Sequence, residues 1–211
     1  MKKVLFLIMA LAAIPAFAVK VTTDGKHNLD KVAGKYGEYS ELEIFEKSGK
    51  WYATKKAFKT ETVPLVLEKD GKFSAEFEHE KEIYAYDTRM KALVKLVKDD
   101  TDQIISIELP TGKTKAAVDT NFNMNKVKGY WCDLTGKIVQ KNGKWYIYND
   151  HNDEYAPLTV TKNGFTIKFE DNIARFTFDT RLQTLVKIDE DGNIVDTYIL
   201  KDYCPEGYVE L

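Results

Sequence analysis

The chain is poor in the residues from which most catalytic and metal centres are built. Its 211 residues include two cysteines and three histidines. The histidines, His27, His79 and His151, are scattered. His79-Glu80 lacks the second histidine of a His-Glu-x-x-His zinc helix. There is no Gly-x-Ser-x-Gly elbow and no Ser-x-x-Lys pair, so the familiar serine nucleophiles are missing. Cys132 and Cys204 with nearby histidine do not complete a zinc site, and they are not spaced as a redox Cys-x-x-Cys. The most polar loop, Asn149-Asp150-His151-Asn152-Asp153-Glu154, is rich in oxygen donors but lacks the spacing and glycine of a calcium loop. It reads as a solvated hairpin tip. No metal and no cofactor is expected.

Neither sign of charge dominates. Removing Lys2 and Lys3 from the 31 basic residues leaves 29 against 33 acidic ones, a formal charge of −4, with both signs interspersed. No basic stripe exists to hold nucleic acid. Long apolar runs are also absent: Val4 to Ala13 falls short of the roughly 20 residues that span a bilayer as a helix. Most strand-like runs are shorter than the roughly 9–11 residues of a spanning strand, and polar residues oppose their apolar faces. No membrane span is expected.

Residues 1–18 form a cleavable signal peptide by pattern: basic Lys2-Lys3, an apolar core, Pro15, then Ala16-Phe17-Ala18 at the cleavage site. The mature chain is expected to start at Val19 and to be exported, to the periplasm or beyond. In an oxidising compartment the plain expectation for Cys132 and Cys204 is one disulfide.

The mature chain is an internal duplication. Gly49-Lys50-Trp51-Tyr52 recurs 94 positions later as Gly143-Lys144-Trp145-Tyr146. Lys31 to Tyr36 answers Lys126 to Trp131, and Pro64-Leu65 answers Pro157-Leu158. Phe73, Ala75 and Phe77 answer Phe165, Ile167 and Phe169. Asp87-Thr88-Arg89 answers Asp179-Thr180-Arg181, and Leu93-Val94-Lys95 answers Leu185-Val186-Lys187. The period is too long for a solenoid or propeller repeat of about 20–50 residues.

Within each copy apolar and polar residues alternate with period two, and Ser-Gly, Asp-Gly or Asn-Gly pairs separate the runs. No helix longer than about two turns is expected, although short turns fit just before Gly34 and Gly129. The pattern predicts about seven strands per copy, a meander that curls under its own twist and tends to close. The expected fold is all-β: two tandem antiparallel up-and-down barrels, at residues 19–112 and 125–211, joined by a linker at 113–124. One larger shared barrel is the alternative. A Cys132–Cys204 bridge would bring the first and last strands of copy two together.

Each copy resembles the small lipocalin-like barrel domain appended to beta-lactamase-related serine hydrolases. The resemblance rests on Gly34-Lys35-Tyr36, Gly49 to Tyr52, Pro64-Leu65, Lys72-Phe73 and Tyr84 to Asp87. In copy two it rests on Gly129-Tyr130-Trp131, Gly143 to Tyr146, Pro157-Leu158, Gly164-Phe165 and Phe176 to Asp179. It implies an up-and-down barrel used for association or for shaping a neighbouring catalytic domain, which this chain does not carry.

Two sets of residues are candidate ligand contacts. Trp51, Tyr52, Trp145 and Tyr146 could line a pocket, or one of each pair could fill the barrel while the other lies outside. Arg89 and Arg181 could hold a carboxylate at a barrel mouth, or cover apolar surface while the preceding aspartates close turns. The reading is an exported non-catalytic barrel protein that binds a protein partner or a small apolar ligand. The alternatives are a secreted hydrolase of carbohydrates or esters with its site between the repeats, or an envelope structural or inhibitor protein.

Overall fold

The structure is a computed structural model and describes residues 19–37, 41–56, 59–78, 80–98, 102–131, 134, 136–149, 152–169 and 172–201. Cys132, Cys204 and the signal segment 1–18 lie outside the described residues.

Copy one forms β1 (Gly34–Tyr36), β2 (Leu42–Lys47), β3 (Lys50–Lys56), β4 (Thr60–Leu67), β5 (Lys72–Phe77), β6 (Glu80–Asp87), β7 (Ala92–Leu96) and β8 (Ile104–Glu108). Copy two forms β9 (Gly129–Trp131), β10 (Gly136–Lys141), β11 (Lys144–Asn149), β12 (Glu154–Thr161), β13 (Gly164–Phe169), β14 (Asn172–Asp179), β15 (Thr184–Ile188), β16 (Ile194–Tyr198) and β17 (Leu200–Lys201). From β1 to β8 and from β9 to β16 each strand pairs antiparallel with its neighbour in sequence, so each copy is an up-and-down meander. The only helical elements described are 3-10 turns at Leu29–Lys31 and Met124–Lys126, just ahead of the first strands, and at Lys69–Gly71.

Both meanders return to their first strand. Past β8 the chain bridges β1, with Gly37 N donating to Leu109 O at 3.0 Å and Thr111 N to Lys35 O at 2.7 Å. In copy two β16 runs on through Ile199 into β17, which pairs with β9 at Leu200↔Trp131 and Lys201↔Tyr130. Eight strands per ring, where the sequence pattern suggests seven, is the count that closure requires: an odd all-antiparallel ring would pair its last strand parallel to its first. The extra strand comes from the run at 131–141, which divides into β9 and β10.

Turn chemistry sets the registers. Ser48-Gly49 and Asn142-Gly143 both have positive φ at both central positions, as a tight two-residue hairpin demands. Gly164 serves differently. It opens β13, and a Cβ there would lie 2.0 Å from Phe176 O, so only glycine lets β13 approach β14.

Three apolar clusters follow. One fills barrel 1 around Phe73, Ala53, Ile44, Tyr84 and Leu93. Another fills barrel 2 around Trp131, Phe165, Ile167, Phe176 and Tyr198. The third lies between the barrels and draws on the outward faces of both: Ala85, Met90, Val94, Leu96 and Ile104 against Leu182, Val186, Ile194 and Ile199. Residues 19–22 and 114–117 are equivalent straps beside it. Ile104 N and Thr88 N donate to Val19 O and Thr22 O of the first strap, whose Val21 N donates to Asp102 O. Ile194 N, Thr180 N and Ala116 N make the equivalent bonds with Thr114 O, Ala117 O and Gly192 O at the second.

Candidate ligand-binding site

The recurring Trp-Tyr pairs divide between the two faces of their strands. Trp51 and Trp145 are half-buried against the barrel interiors. Tyr52 and Tyr146 lie on the opposite faces, Tyr52 stacked on Phe45 at 5.8 Å and Tyr146 edge-on to Tyr155 at 5.8 Å. The structure does not bring the two pairs together.

In the Asp-Thr-Arg motif the aspartate is a turn staple. Asp87 is fully buried and accepts from the backbone N–H groups of Thr22, Arg89 and Met90. Asp179 does the same for Ala117, Arg181 and Leu182. The arginines then diverge. Arg89 approaches its own Asp87 at 3.9 Å, while Arg181 reaches a cavity that belongs to barrel 1.

That cavity exists because the barrels, although equivalent in backbone, are packed differently. Register makes Tyr36 the counterpart of Trp131, Tyr86 of Phe178, Glu108 of Tyr198, Tyr84 of Phe176 and Glu82 of Ala174. Barrel 2 carries the larger or more apolar member at most of these positions, and Phe176 packs on Phe165 at 5.1 Å and on Tyr198 at 5.8 Å. Barrel 1 instead holds a column of polar groups. Glu82, whose side chain is 1% exposed, accepts from Lys55 at 2.6 Å, Lys95 at 2.5 Å and the Tyr84 hydroxyl at 2.5 Å. Two positions along β8, the Ser106 hydroxyl donates to Glu108 at 2.6 Å.

Electrostatics sort these carboxyls into two kinds. Burial pushes the Glu82 carboxyl up, but the hydrogen bonds from Lys55, Lys95 and Tyr84 and the Lys95 charge outweigh it, so it is held below the usual range. Lys95 is raised in turn, its burial overcome by Glu82. Glu108 has no such cation bonded to it. Burial raises its carboxyl, and the Ser106 bond and the more distant Lys95 and Lys55 charges only partly offset that. Burial, with the Glu108 charge second, pushes the Tyr36 phenol up to about 12.

Glu108 sits at the wall of a cavity of about 250 Å³ at the mouth of barrel 1. Tyr36, Tyr86 and Leu93 give it an apolar side. Lys31 and Lys91 come from the same repeat, and Lys115 and Arg181 from the other. It is small beside the ~300–1,000 Å³ of drug-sized pockets. Four cations and one carboxyl group therefore surround this space.

Family models, curated proteins and solved structures were compared with the chain, and none matches.

Sequence reasoning singled out Arg181 but missed Glu82, Lys95 and Glu108. One signal was available: each occupies an inward position, and at Glu82 and Glu108 the other copy carries Ala174 and Tyr198. No cluster of His, Cys, Asp and Glu suited to a metal occurs among the described residues.

Proposed function

We propose that this is an exported, non-catalytic binding protein whose first barrel takes up a small molecule and whose second barrel is its structural support. The observation that carries the reading is the unequal filling of two otherwise equivalent barrels. Where barrel 2 places Trp131 and Tyr198, barrel 1 has the smaller, also buried Tyr36 and the half-buried Glu108, and these two line a cavity. A cavity edged by cations and a carboxyl in one of two equivalent scaffolds is a place an occupant could take. Export rests on the signal-peptide pattern of residues 1–18. The resemblance to lipocalin-like barrel domains supports the same reading. A carboxylate-pair hydrolase needs two carboxyl groups facing one substrate, and the described lining supplies Glu108 alone, with no histidine, cysteine or serine.

The test transplants the plug. Tyr36→Trp with Glu108→Tyr gives barrel 1 the residues of barrel 2. Small molecules that raise the melting temperature of the wild type should lose their effect on this variant, while its circular dichroism stays that of the wild type. Ligand responses that survive the double substitution would refute the placement. N-terminal sequencing of the exported protein should start at Val19; an intact Met1 would refute processing.

A further inference from the structure

Resting on that reading of barrel 1, we infer that its ligand is a small organic anion with an apolar body. Its charged group is held by Arg181, Lys91 and Lys31 at the mouth, and its body lies against Tyr36, Tyr86 and Leu93.

The argument again comes from the differences between the copies, now at the cations. In copy two Lys126 is ion-paired with Asp119. Asp119 and the equivalent Asp24 both accept a backbone bond, from Asn121 N at 2.9 Å and Lys26 N at 3.0 Å, but Asp24 adds Asn28 Nδ2 at 2.8 Å in place of the lysine. Lys31 makes no ion pair with Asp24 and lines the cavity, its ammonium 5.0 Å from the Tyr86 ring centre, although its charge still helps to lower the Asp24 carboxyl. Lys91 and its counterpart Gln183 share the same left-handed backbone, at φ 52° and 55°. Gln183 folds back to donate to Thr180 O, whereas Lys91 lines the cavity. Among the described residues the Lys91 ammonium and the Arg181 guanidinium have no ion-pair partner. Lys115 is spoken for in part, donating to Asp191 O at 2.5 Å.

Three cations gathered at one mouth repel one another, and an anion between them removes that repulsion. Arg181 is half-buried, and its planar fork can take a carboxylate through two parallel bonds. Glu108 is the one group that opposes an anion. Burial raises its carboxyl, so its opposition weakens as pH falls.

The test uses a matched pair on the mature full chain: 3-phenylpropionate and 3-phenylpropanol, titrated by calorimetry, with inorganic phosphate as a third probe. The acid should bind about tenfold more tightly than the alcohol, the value of one charge-assisted bond. Arg181→Gln and Lys91→Gln should each weaken the acid several-fold and leave the alcohol unchanged. Arg175→Gln, a charge change on the surface of barrel 2, should alter neither. Equal binding of acid and alcohol, abolished by the plug variant, would overturn the anion inference while leaving barrel 1 a binding barrel. Phosphate binding as tightly as the acid would overturn the apolar body. Failure of all three probes at millimolar concentration, in protein with native circular dichroism, would overturn both readings.

Discussion

Glu82→Gln is the most informative single change to the interior of barrel 1. The glutamate side chain is 1% exposed and accepts three short hydrogen bonds, two of them from ammonium groups. Glutamine keeps the shape but removes the charge, and its amide N–H₂ must face groups that also donate. Two lysines then lose the carboxylate they bond. Breaking a buried pair costs about 3–5 kcal/mol. Lys55, 36% exposed, can turn to water, and that relief lowers the expected loss to about 2–4 kcal/mol. At roughly 2–4 °C per kcal/mol for a chain of this size, melting should fall by about 4–16 °C. Urea unfolding followed by tryptophan fluorescence and by far-ultraviolet circular dichroism reads the difference. Glu82→Leu with Lys95→Met removes both members of the closest pair and should recover most of the loss. The pH dependence fixes the sign. The folded carboxyl titrates below its ordinary 4.5, so the stabilisation is present above that pH and disappears as pH falls through the lowered value. Wild type and Glu82→Gln should therefore converge in acid. A neutral-pH difference below about 0.5 kcal/mol, or a double variant no better than the single, would refute the reasoning.

Glu108 titrates in the opposite sense: its folded value is raised, so its contribution is present below the ordinary 4.5 and is lost as pH rises through the folded value. Glu108→Gln should be more stable than wild type at neutral pH, with the advantage vanishing in acid, as urea midpoints at the two conditions will show. Met90→Ala empties a fully buried position between the barrels; it should cost about 2–5 kcal/mol and lower one shared calorimetric transition rather than split it. Gly164→Ala forces a Cβ to within 2.0 Å of Phe176 O and should destabilise by about 1–3 kcal/mol or more in the same unfolding assay. Mass spectrometry of the unreduced exported protein should find Cys132 joined to Cys204; two free thiols would count against the bridge.

The scaffold was legible because its signals are local and occur twice. Gly49 and Gly143 mark tight hairpins, and Phe165, Ile167, Phe176 and Phe178 alternate as strands packed on one face must. The eighth strand was not legible, because residues 131–141 read as one strand-like run with no marked turn inside it. The polar column inside barrel 1 was hidden for a different reason. Lys55, Glu82, Lys95 and Glu108 lie on β3, β6, β7 and β8 and meet only after the barrel closes. Arg89 and Arg181 sit in identical motifs, and their neighbours, not their own sequence, set them apart. What distinguishes Arg181 is Lys31 and Lys91, contributed by the other repeat.

The apolar contact between the barrels uses the same positions from both sides: Met90 with its counterpart Leu182, Val94 with Val186, Leu96 with Ile188, Ile104 with Ile194. A surface that meets its own copy is self-complementary, the hallmark of a two-fold dimer. A chain carrying a single repeat would bare this patch and find its match in another molecule of itself. The present protein reads as such a homodimer sealed into one polypeptide by duplication. Within that symmetric contact the two interiors differ, and Arg181 of one half edges the cavity of the other.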